Sequence, residues 1–162
     1  MIEHMEVIRS YSAMCNSAVE LGVYDCTSTW ALMAGCPKKL TSYDIERRTE
    51  VDEVESVAAE SGTIFKFILA DSVSIEIDEV DLLFIDSMHT YEHLSKELSL
   101  HSKKVRKFII LHDTTTFGDV GQTGGLGLWA AVVEFLDKYP QWVVHERRTN
   151  CHGLTVLSRV SG

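Results

Sequence analysis

Short apolar runs alternate with segments of helical periodicity along this chain. Residues 80–85 are nearly all apolar, which is typical of a strand buried on both faces of a sheet. In contrast, the apolar residues Val51, Val54, Val57 and Ala58 are assigned to one helix face, and Gly62 follows them as a stop signal. This alternation predicts a parallel sheet whose strands are connected by helices.

The same two periodicities predict the remaining elements. Residues 2–14 are expected to be helical, and Thr49 with Asp52 resembles a capping arrangement at the start of a later helix. The last two strands lie close together in the sequence, as a terminal antiparallel pair would. The predicted strands cover residues 17–21, 40–43, 63–69, 80–85, 107–111, 142–146 and 154–158, and further helices begin near Ser28, Thr49, Tyr91 and Leu128.

The predicted fold class is therefore α/β. We expect a Rossmann-like, doubly wound, mostly parallel sheet with an antiparallel strand near the C-terminus and helices on both faces. The chain has 162 residues and neither a repeat nor a long linker, so residues 1–162 are expected to form one domain.

Composition and charge narrow the possible partners. Lys and Arg total 15 against 24 Asp and Glu, a net charge of −9, which argues against nucleic acid. No apolar run approaches the roughly 20 residues of a membrane span. The N-terminal segment is charged where a secretion signal is apolar, and the four cysteines form no CxxC pair. These features predict a cytoplasmic protein that does not bind membranes.

Polar side chains recur where the predicted strands end. Asp44, Asp71 and Asp86 each lie at or just after a strand, and His112 with Asp113 follows the next one. Because ligands of open α/β sheets bind beyond the carboxyl ends of the strands, we expect these groups to converge on one rim.

The first strand-to-helix loop is suited to a nucleoside-containing cofactor. Gly22 lets the backbone pass close to a ligand, and the helix that follows presents unpaired N–H groups. Asp44 ends the second strand, where a carboxylate can accept both hydroxyls of a ribose. Taken separately, the glycine also fits a plain tight turn and the aspartate a helix cap.

A second group of residues is suited to a metal ion and a base. Asp86 and Asp113 end adjacent strands and could supply carboxylate oxygens to Mg²⁺, with His112 as a third ligand that would favour softer divalent ions. His89 follows Asp86 by three residues and could accept a proton from a substrate hydroxyl. The alternatives are a helix-start role for His89 and a turn-forming role for Asp113.

A glycine-rich stretch at residues 118–127 precedes the last helix. No Lys-Ser/Thr pair follows these glycines, so the stretch is not a phosphate-binding P-loop. A mobile flap over the site and a flexible connector both remain open.

In its order of motifs the chain resembles the class I S-adenosylmethionine-dependent methyltransferases. Within that class it is similar to the sugar and macrolide O-methyltransferases and to cephalosporin-hydroxylase-like proteins. The matching segments, spread over residues 18–157, are VELGVYDCTSTWAL, LTSYDIE, FKFILADS, DLLFIDSMHTYEHLSKEL, KFIILHDTTTFG and NCHGLTVL.

The resemblance implies roles for residues along the cofactor. It implies that Glu20, Gly22 and the backbone through Thr27 hold the methionine end of S-adenosylmethionine, and that Asp44 binds the ribose. The resemblance also implies that Asp71 and Ser72 line the adenine.

Two positions depart from the pattern of these relatives. Cys26 stands where they usually have glycine, and its side chain is expected to crowd the cofactor. His112 stands where metal-dependent relatives often have an acidic residue, which changes the third metal ligand.

The leading hypothesis is methyl transfer from S-adenosylmethionine to a hydroxyl of a small molecule or sugar, assisted by Mg²⁺ or another divalent cation. The first alternative is an inert module that binds S-adenosylmethionine without turnover. The second is a nicotinamide-dependent oxidoreductase, which the lack of a tight Gly-x-Gly pattern disfavours. The chain has few elements beyond the minimal fold, so a homo-oligomer is expected to cover the open rim.

Overall fold

A computed structural model of the chain describes residues 1–160, which include one seven-stranded sheet. The spatial order of its strands is β3-β2-β1-β4-β5-β7-β6. β1 to β5 are parallel, and β7 pairs antiparallel with both β5 and β6, so the predicted mixed sheet is confirmed. The strands are β1 Ser17–Leu21, β2 Lys39–Asp44, β3 Ile64–Leu69, β4 Val80–Ile85, β5 Val105–His112, β6 Trp142–Arg148 and β7 Leu154–Arg159.

Helices cover both faces of the sheet, as predicted. They are α1 Met5–Ser12, which follows a 3-10 turn at Ile2–His4, α2 Thr27–Ala34, α3 Glu50–Ser61, α4 Tyr91–His101 and α5 Leu128–Lys138. None of these helices, within residues 1–160, is long and apolar enough to cross a membrane.

The alternation of β4 divides the core into two layers. Leu82 and Phe84 pack with side chains of α1, α2 and α3, whereas Leu83 and Ile85 pack with those of α4 and α5. All four side chains are almost fully buried, which explains why consecutive residues of this strand are apolar.

The expected capping arrangement at Thr49 is wrong. Thr49 makes no side-chain capping hydrogen bond, and its hydroxyl lies 3.3 Å from a carboxylate oxygen of Glu50. Asp52 instead receives a hydrogen bond of 2.6 Å from Arg47. The acidic residues in the first turn of α3, which include Glu53, therefore stabilise the helix through its dipole. They do not cap its unpaired N–H groups.

Gly22 marks the place where the order of the strands reverses beside β1. Its φ angle is +89°, and its N–H donates to the carbonyl of Tyr43 on β2 at 2.9 Å. A Cβ at this position would overlap the carbonyl group of Asp86 at the end of β4. The close passage of these two strand ends defines the crevice in which ligands of doubly wound sheets bind.

Candidate active site

The loop between β1 and α2 is held in a strained left-handed conformation. Tyr24 and Cys26 have φ angles of 47° and 62°, although neither is glycine. Asp25 accepts hydrogen bonds from the N–H and the hydroxyl of Thr27 at 3.1 and 2.8 Å, which begins α2. Cys26 is fully buried in the core layer of α1 to α3, so its thiol does not crowd the crevice as expected from the sequence.

Asp44 fastens that loop to the end of β2. One carboxylate oxygen accepts from the N–H groups of Val23 and Tyr24 at 2.7 and 3.1 Å, and the other accepts from Glu46 N–H at 3.0 Å. A carboxylate offers about four acceptor positions, so capacity for a further donor remains. Asp44, the residue predicted to bind the ribose, therefore orders the backbone of the first loop.

Glu20 does not reach the rim of the crevice. Its carboxylate is fully buried and accepts hydrogen bonds from Ser28 at 2.6 Å, Thr29 at 2.8 Å and Ser42 at 2.6 Å. Burial raises the pKa of Glu20 to about 7, although the three hydroxyls oppose that shift. Because strand alternation points this side chain under α2, Glu20 supports the loop in this structure, and its contact with the methionine end of a cofactor stays a prediction.

Asp71 and Ser72 lie just beyond β3, at the predicted adenine end of the crevice. Asp71 is exposed and accepts from the N–H of Val73 at 3.1 Å. Ser72 is buried, with its hydroxyl 3.1 Å from His93 Nε2 and its carbonyl accepting from His101 Nε2 at 2.9 Å. Of the two predicted residues, only Asp71 presents its side chain to solvent.

A buried carboxylate behind this end of the crevice was missed in the sequence. Glu97 is fully buried on α4 and accepts a hydrogen bond from Ser87 at 2.6 Å, directly after β4. The same oxygen lies 3.4 Å from His93 Nε2, and the hydrogen bond to Glu97 raises the pKa of His93. The four-residue spacing of His93 and Glu97 on one helix was the available signal.

Asp86, His89 and Asp113 come together at the ends of β4 and β5. His89 Nε2 lies 3.1 Å from a carboxylate oxygen of Asp86 and 3.2 Å from one of Asp113. All three side chains are partly exposed, between 17% and 21%. One ligand atom from each residue lies within 4.8 Å of the others, so the set could hold a cation.

His112 lies beside that set, and its predicted role as a metal ligand stays a prediction. Its Nδ1 lies 2.8 Å from one oxygen of Asp113 and 3.6 Å from Asp86, but its side chain is only 4% exposed. The imidazole packs edge-on against the ring of His4, with ring centroids 5.4 Å apart. His112 therefore contacts the two aspartates from the protein interior.

Hydrogen bonds and charges around the cluster shift the pKa values of Asp86, His89 and His112. Burial opposes ionisation of Asp86, yet hydrogen bonds from His112 and His89 lower its pKa to about 2. Burial would lower the pKa of His112, but hydrogen bonds to Asp113 and Asp86 raise it to about 9. Burial would also lower the pKa of His89, but the hydrogen bond to Asp86 raises it. The cluster is thus a compact site in which two carboxylates dominate.

The donor set fits a divalent cation. Two carboxylate oxygens suit a hard ion such as Mg²⁺, and an imidazole nitrogen extends the range to ions such as Mn²⁺ or Zn²⁺. The left-handed φ angle of 59° at Asp113 turns its carboxylate toward Asp86 and His89 rather than along β5. Asp113 is therefore placed by a local backbone conformation as well as by the sheet.

The glycine-rich stretch forms a tight hairpin beside this cluster. Val120 and Leu126 pair as an antiparallel bridge, and Gly121 N–H donates to the Gly125 carbonyl at 2.9 Å. The Leu126 carbonyl accepts from Tyr91 N–H at 3.2 Å, which joins the hairpin to the start of α4. Both expectations, a moving flap and a flexible connector, stay predictions.

Neither a family model nor a curated protein matches this chain. Solved structures do match it. The cofactor-bound protein Rv0187 from MTB has a TM-score of 0.70 at 13% identity, with 100% of this chain and 82% of that chain covered. An O-methyltransferase from Bacillus cereus in complex with S-adenosylhomocysteine has a TM-score of 0.67 at 12% identity, with 99% and 82% covered.

The fold of the chain is therefore that of the class I methyltransferases. The tRNA methyltransferase TrmK from B. subtilis shares it too, with a TM-score of 0.63 at 12% identity and with 98% of this chain and 66% of that chain covered. Proteins with this fold include both an O-methyltransferase and a tRNA methyltransferase. The fold by itself therefore does not specify an acceptor.

Proposed function

We propose that this protein is an S-adenosylmethionine-dependent methyltransferase that methylates a hydroxyl of a small molecule or sugar. The observation that carries the proposal is the cluster of Asp86, His89 and Asp113 next to the crevice at Gly22. It combines a base with two carboxylates at the strand ends where ligands of this fold bind.

The crevice fits an adenosyl cofactor in three respects. Gly22 lets the end of β1 pass against the Asp86 backbone at the point where the strand order reverses, Asp44 is anchored where a ribose would lie, and Asp71 is exposed at the end where an adenine would lie. S-adenosylmethionine would supply a methyl group activated by a positively charged sulfur. The protein would contribute by holding an acceptor hydroxyl in line with that methyl group.

His89 Nε2 is the proposed proton acceptor. The acceptor oxygen would form a bond to the methyl carbon as the carbon–sulfur bond breaks, and the hydroxyl proton would pass to His89, leaving S-adenosylhomocysteine. Asp86 and Asp113, 3.1 and 3.2 Å from Nε2, would stabilise the resulting imidazolium. A divalent cation held by Asp86 and Asp113 would be a separate route, because it would lower the pKa of the hydroxyl and leave deprotonation to the ion or a water rather than to His89.

The acceptor class and the assembly state belong to the same proposal. Exposed apolar side chains follow three strand ends around the crevice: Tyr24 is 65%, Ile45 76% and Met88 50% exposed. Such a rim is suited to an organic acceptor or to coverage by a second copy of the chain. The net charge of −9 disfavours a nucleic-acid acceptor. Light scattering at high concentration would test the homo-oligomer.

Two measurements test the proposed function. Calorimetry should show binding of S-adenosylhomocysteine and none of NAD, and Asp44→Ala should weaken binding by about 1–3 kcal/mol. A panel of hydroxyl acceptors with labelled S-adenosylmethionine should then reveal turnover that falls roughly 10²- to 10⁴-fold in His89→Ala. Binding of NAD alone would contradict the cofactor, and binding without turnover for any acceptor would contradict the reaction.

A further inference from the structure

We propose that His93 is a positioning residue for the cofactor, because it fastens the connection between β3 and β4 to helix α4. This connection, residues 70–79, carries Asp71, which is exposed at the end of the crevice where an adenine would lie. The effect on the cofactor rests on the proposed function, whereas the fastening itself can be measured in the protein alone.

The connection from β3 to β4 has no α-helix of its own. The other parallel connections contain α2, α3 and α4, but this one contains only the 3-10 turn Ser72–Ser74. It also has to cross from the outer strand of the sheet, past β2 and β1, to β4. Ile77 anchors the second half of the connection in the core layer of α4 and α5. In the first half, residues 70–74, no apolar side chain is buried, so its position depends on polar contacts.

Two histidines of α4 hold Ser72 by both of its polar groups. His93 Nε2 lies 3.1 Å from the Ser72 hydroxyl, and His101 Nε2 donates to the Ser72 carbonyl at 2.9 Å. The two imidazoles are about two helical turns apart, so they reach the 3-10 turn from one face of α4. Ser72 is buried, and these two contacts attach the turn to the helix.

Glu97 orients the imidazole of His93. Its fully buried carboxylate has one oxygen 3.4 Å from His93 Nε2, and the same oxygen accepts from the Ser87 hydroxyl at 2.6 Å. A carboxylate oxygen favours a proton on the nitrogen that faces it, so Nε2 carries the proton and the Ser72 oxygen accepts. One buried carboxylate therefore links α4, the residues that follow β4 and the connection that follows β3.

The position of Asp71 follows from this attachment. Asp71 directly precedes Ser72 and caps the 3-10 turn, because its carboxylate accepts from Val73 N–H at 3.1 Å. A turn released from α4 would carry Asp71 away from a fixed place in the crevice. None of the contacts of His93 described above involves the cluster at the ends of β4 and β5, so we expect the effect on cofactor affinity.

Protonation of His93 should strengthen the attachment. The hydrogen bond to Glu97 raises the pKa of His93 above its ordinary value of 6.5, against the effect of burial. The charge of Asp71 acts in the same direction as Glu97, and that of Lys96 acts in the opposite direction. Below its pKa His93 is an imidazolium beside a carboxylate, and above it the neutral ring donates a weaker hydrogen bond from Nε2. The attachment is therefore strongest at low pH and weakens as pH rises through the pKa of His93.

Hydrogen exchange in the ligand-free protein tests the fastening. His93→Leu removes the donor, whereas His93→Gln keeps an N–H donor on a side chain of similar reach. Exchange at the Val73 and Ser74 amides should accelerate roughly 3- to 10-fold in His93→Leu and stay within about twofold of the wild-type rate in His93→Gln. Ser99→Ala is the matched control, because Ser99 is exposed on the same helix. Unchanged exchange in His93→Leu would overturn the proposal.

Calorimetry with S-adenosylhomocysteine tests the effect on the cofactor. Kd should rise roughly 3- to 10-fold in His93→Leu and stay unchanged in Ser99→Ala. At acidic pH the wild-type protein should bind more tightly than His93→Gln, and the two Kd values should converge as pH rises through the pKa of His93. The comparison of these two proteins cancels the titration of the groups that they share, and it does not require His93→Leu to fold. Parallel pH profiles would overturn the positioning role. If the wild-type protein does not bind S-adenosylhomocysteine, the proposed function fails, while the exchange rates still decide the attachment.

Discussion

At the scale of single residues, Glu20 and Asp86 show how a partner's charge decides the ionisation of a buried carboxylate. Both lie at strand ends beside Gly22. Glu20 receives hydrogen bonds only from neutral hydroxyls, so burial dominates and its pKa rises to about 7. Burial also acts on Asp86, but two imidazoles outweigh it and lower the pKa to about 2. The pKa values of the two carboxyl groups are therefore shifted in opposite directions although both lie at strand ends next to Gly22.

Glu20 should make the stability of the protein depend on pH in a defined direction. Its pKa is raised from 4.5 to about 7, so its contribution is fully present below pH 4.5 and is lost as pH rises through 7. Glu20→Gln removes the titrating proton. Between pH 5 and 8 the wild-type protein should therefore lose about 2–3 kcal/mol of unfolding free energy relative to the variant. Urea denaturation at several pH values measures this difference, and parallel stability profiles would contradict it.

Gly22 permits a second test at this scale, with Gly62 as the matched control. Both have left-handed φ angles, +89° and +81°, but a Cβ at Gly22 would overlap Asp86 whereas one at Gly62 meets nothing within 4 Å. Gly62→Ala should cost about 1–2 kcal/mol from backbone strain alone. Gly22→Ala adds the overlap and should cost about 2–5 kcal/mol in thermal or urea unfolding. Equal losses in the two variants would show that the contact between the strand ends is not tight.

The sequence located the residues at the strand ends but not the direction of every side chain. Asp86 and Asp113 were predictable because apolar runs ended beside them. The packing of His112 against His4 was not predictable, because the two residues are distant in sequence. The contact of Gln122 Oε1 with His89 Nδ1, at 3.2 Å, was missed for the same reason, since it joins two loops that are far apart in the chain.

At the scale of elements, the end of β2 and the loop after β1 form one unit. Asp44 accepts from two consecutive loop N–H groups, those of Val23 and Tyr24. The loop needs this support because Tyr24 and Cys26 both adopt a left-handed conformation that non-glycine residues rarely take. The positions of β1 and β4 were predicted well because their burial requires an apolar run. The cap at Thr49 was wrong because Asp52 is hydrogen-bonded to Arg47.

Asp44→Ala should loosen this loop even without a ligand. Loss of the carboxylate leaves the N–H groups of Val23 and Tyr24 without their acceptor, so hydrogen exchange at these two amides should accelerate roughly tenfold or more. Asp78→Ala is the control, since Asp78 is an exposed partner of Lys39 and does not touch the loop. Exchange that is equally fast in the wild-type protein would show that Asp44 does not order the loop before a ligand binds.

At the scale of the whole molecule, the effect of net charge on stability can be separated from the binding of an ion at one site. The protein carries a net charge of −9, so any added cation will screen repulsion and raise stability somewhat. The local cluster of Asp86 and Asp113 is different, because its donors converge on one point and could bind a single ion. A metal test must therefore compare this cluster with an acidic residue elsewhere in the molecule.

Thermal unfolding with and without Mg²⁺ makes that comparison. A ligand of the folded state at 100 times its Kd adds about 2.7 kcal/mol, which corresponds to a rise in Tm of roughly 5–10 °C for a protein of this size. We expect that rise in the wild-type protein and in Asp119→Asn, which removes an exposed carboxylate of the glycine-rich hairpin. Asp113→Asn should show only the small rise that NaCl of equal ionic strength produces. Asparagine tolerates the left-handed φ angle of 59°, so the substitution should remove the charge and leave the backbone in place. Should Asp113→Asn respond to Mg²⁺ as the wild-type protein does, the cluster binds no ion and deprotonation of an acceptor would depend on His89 alone.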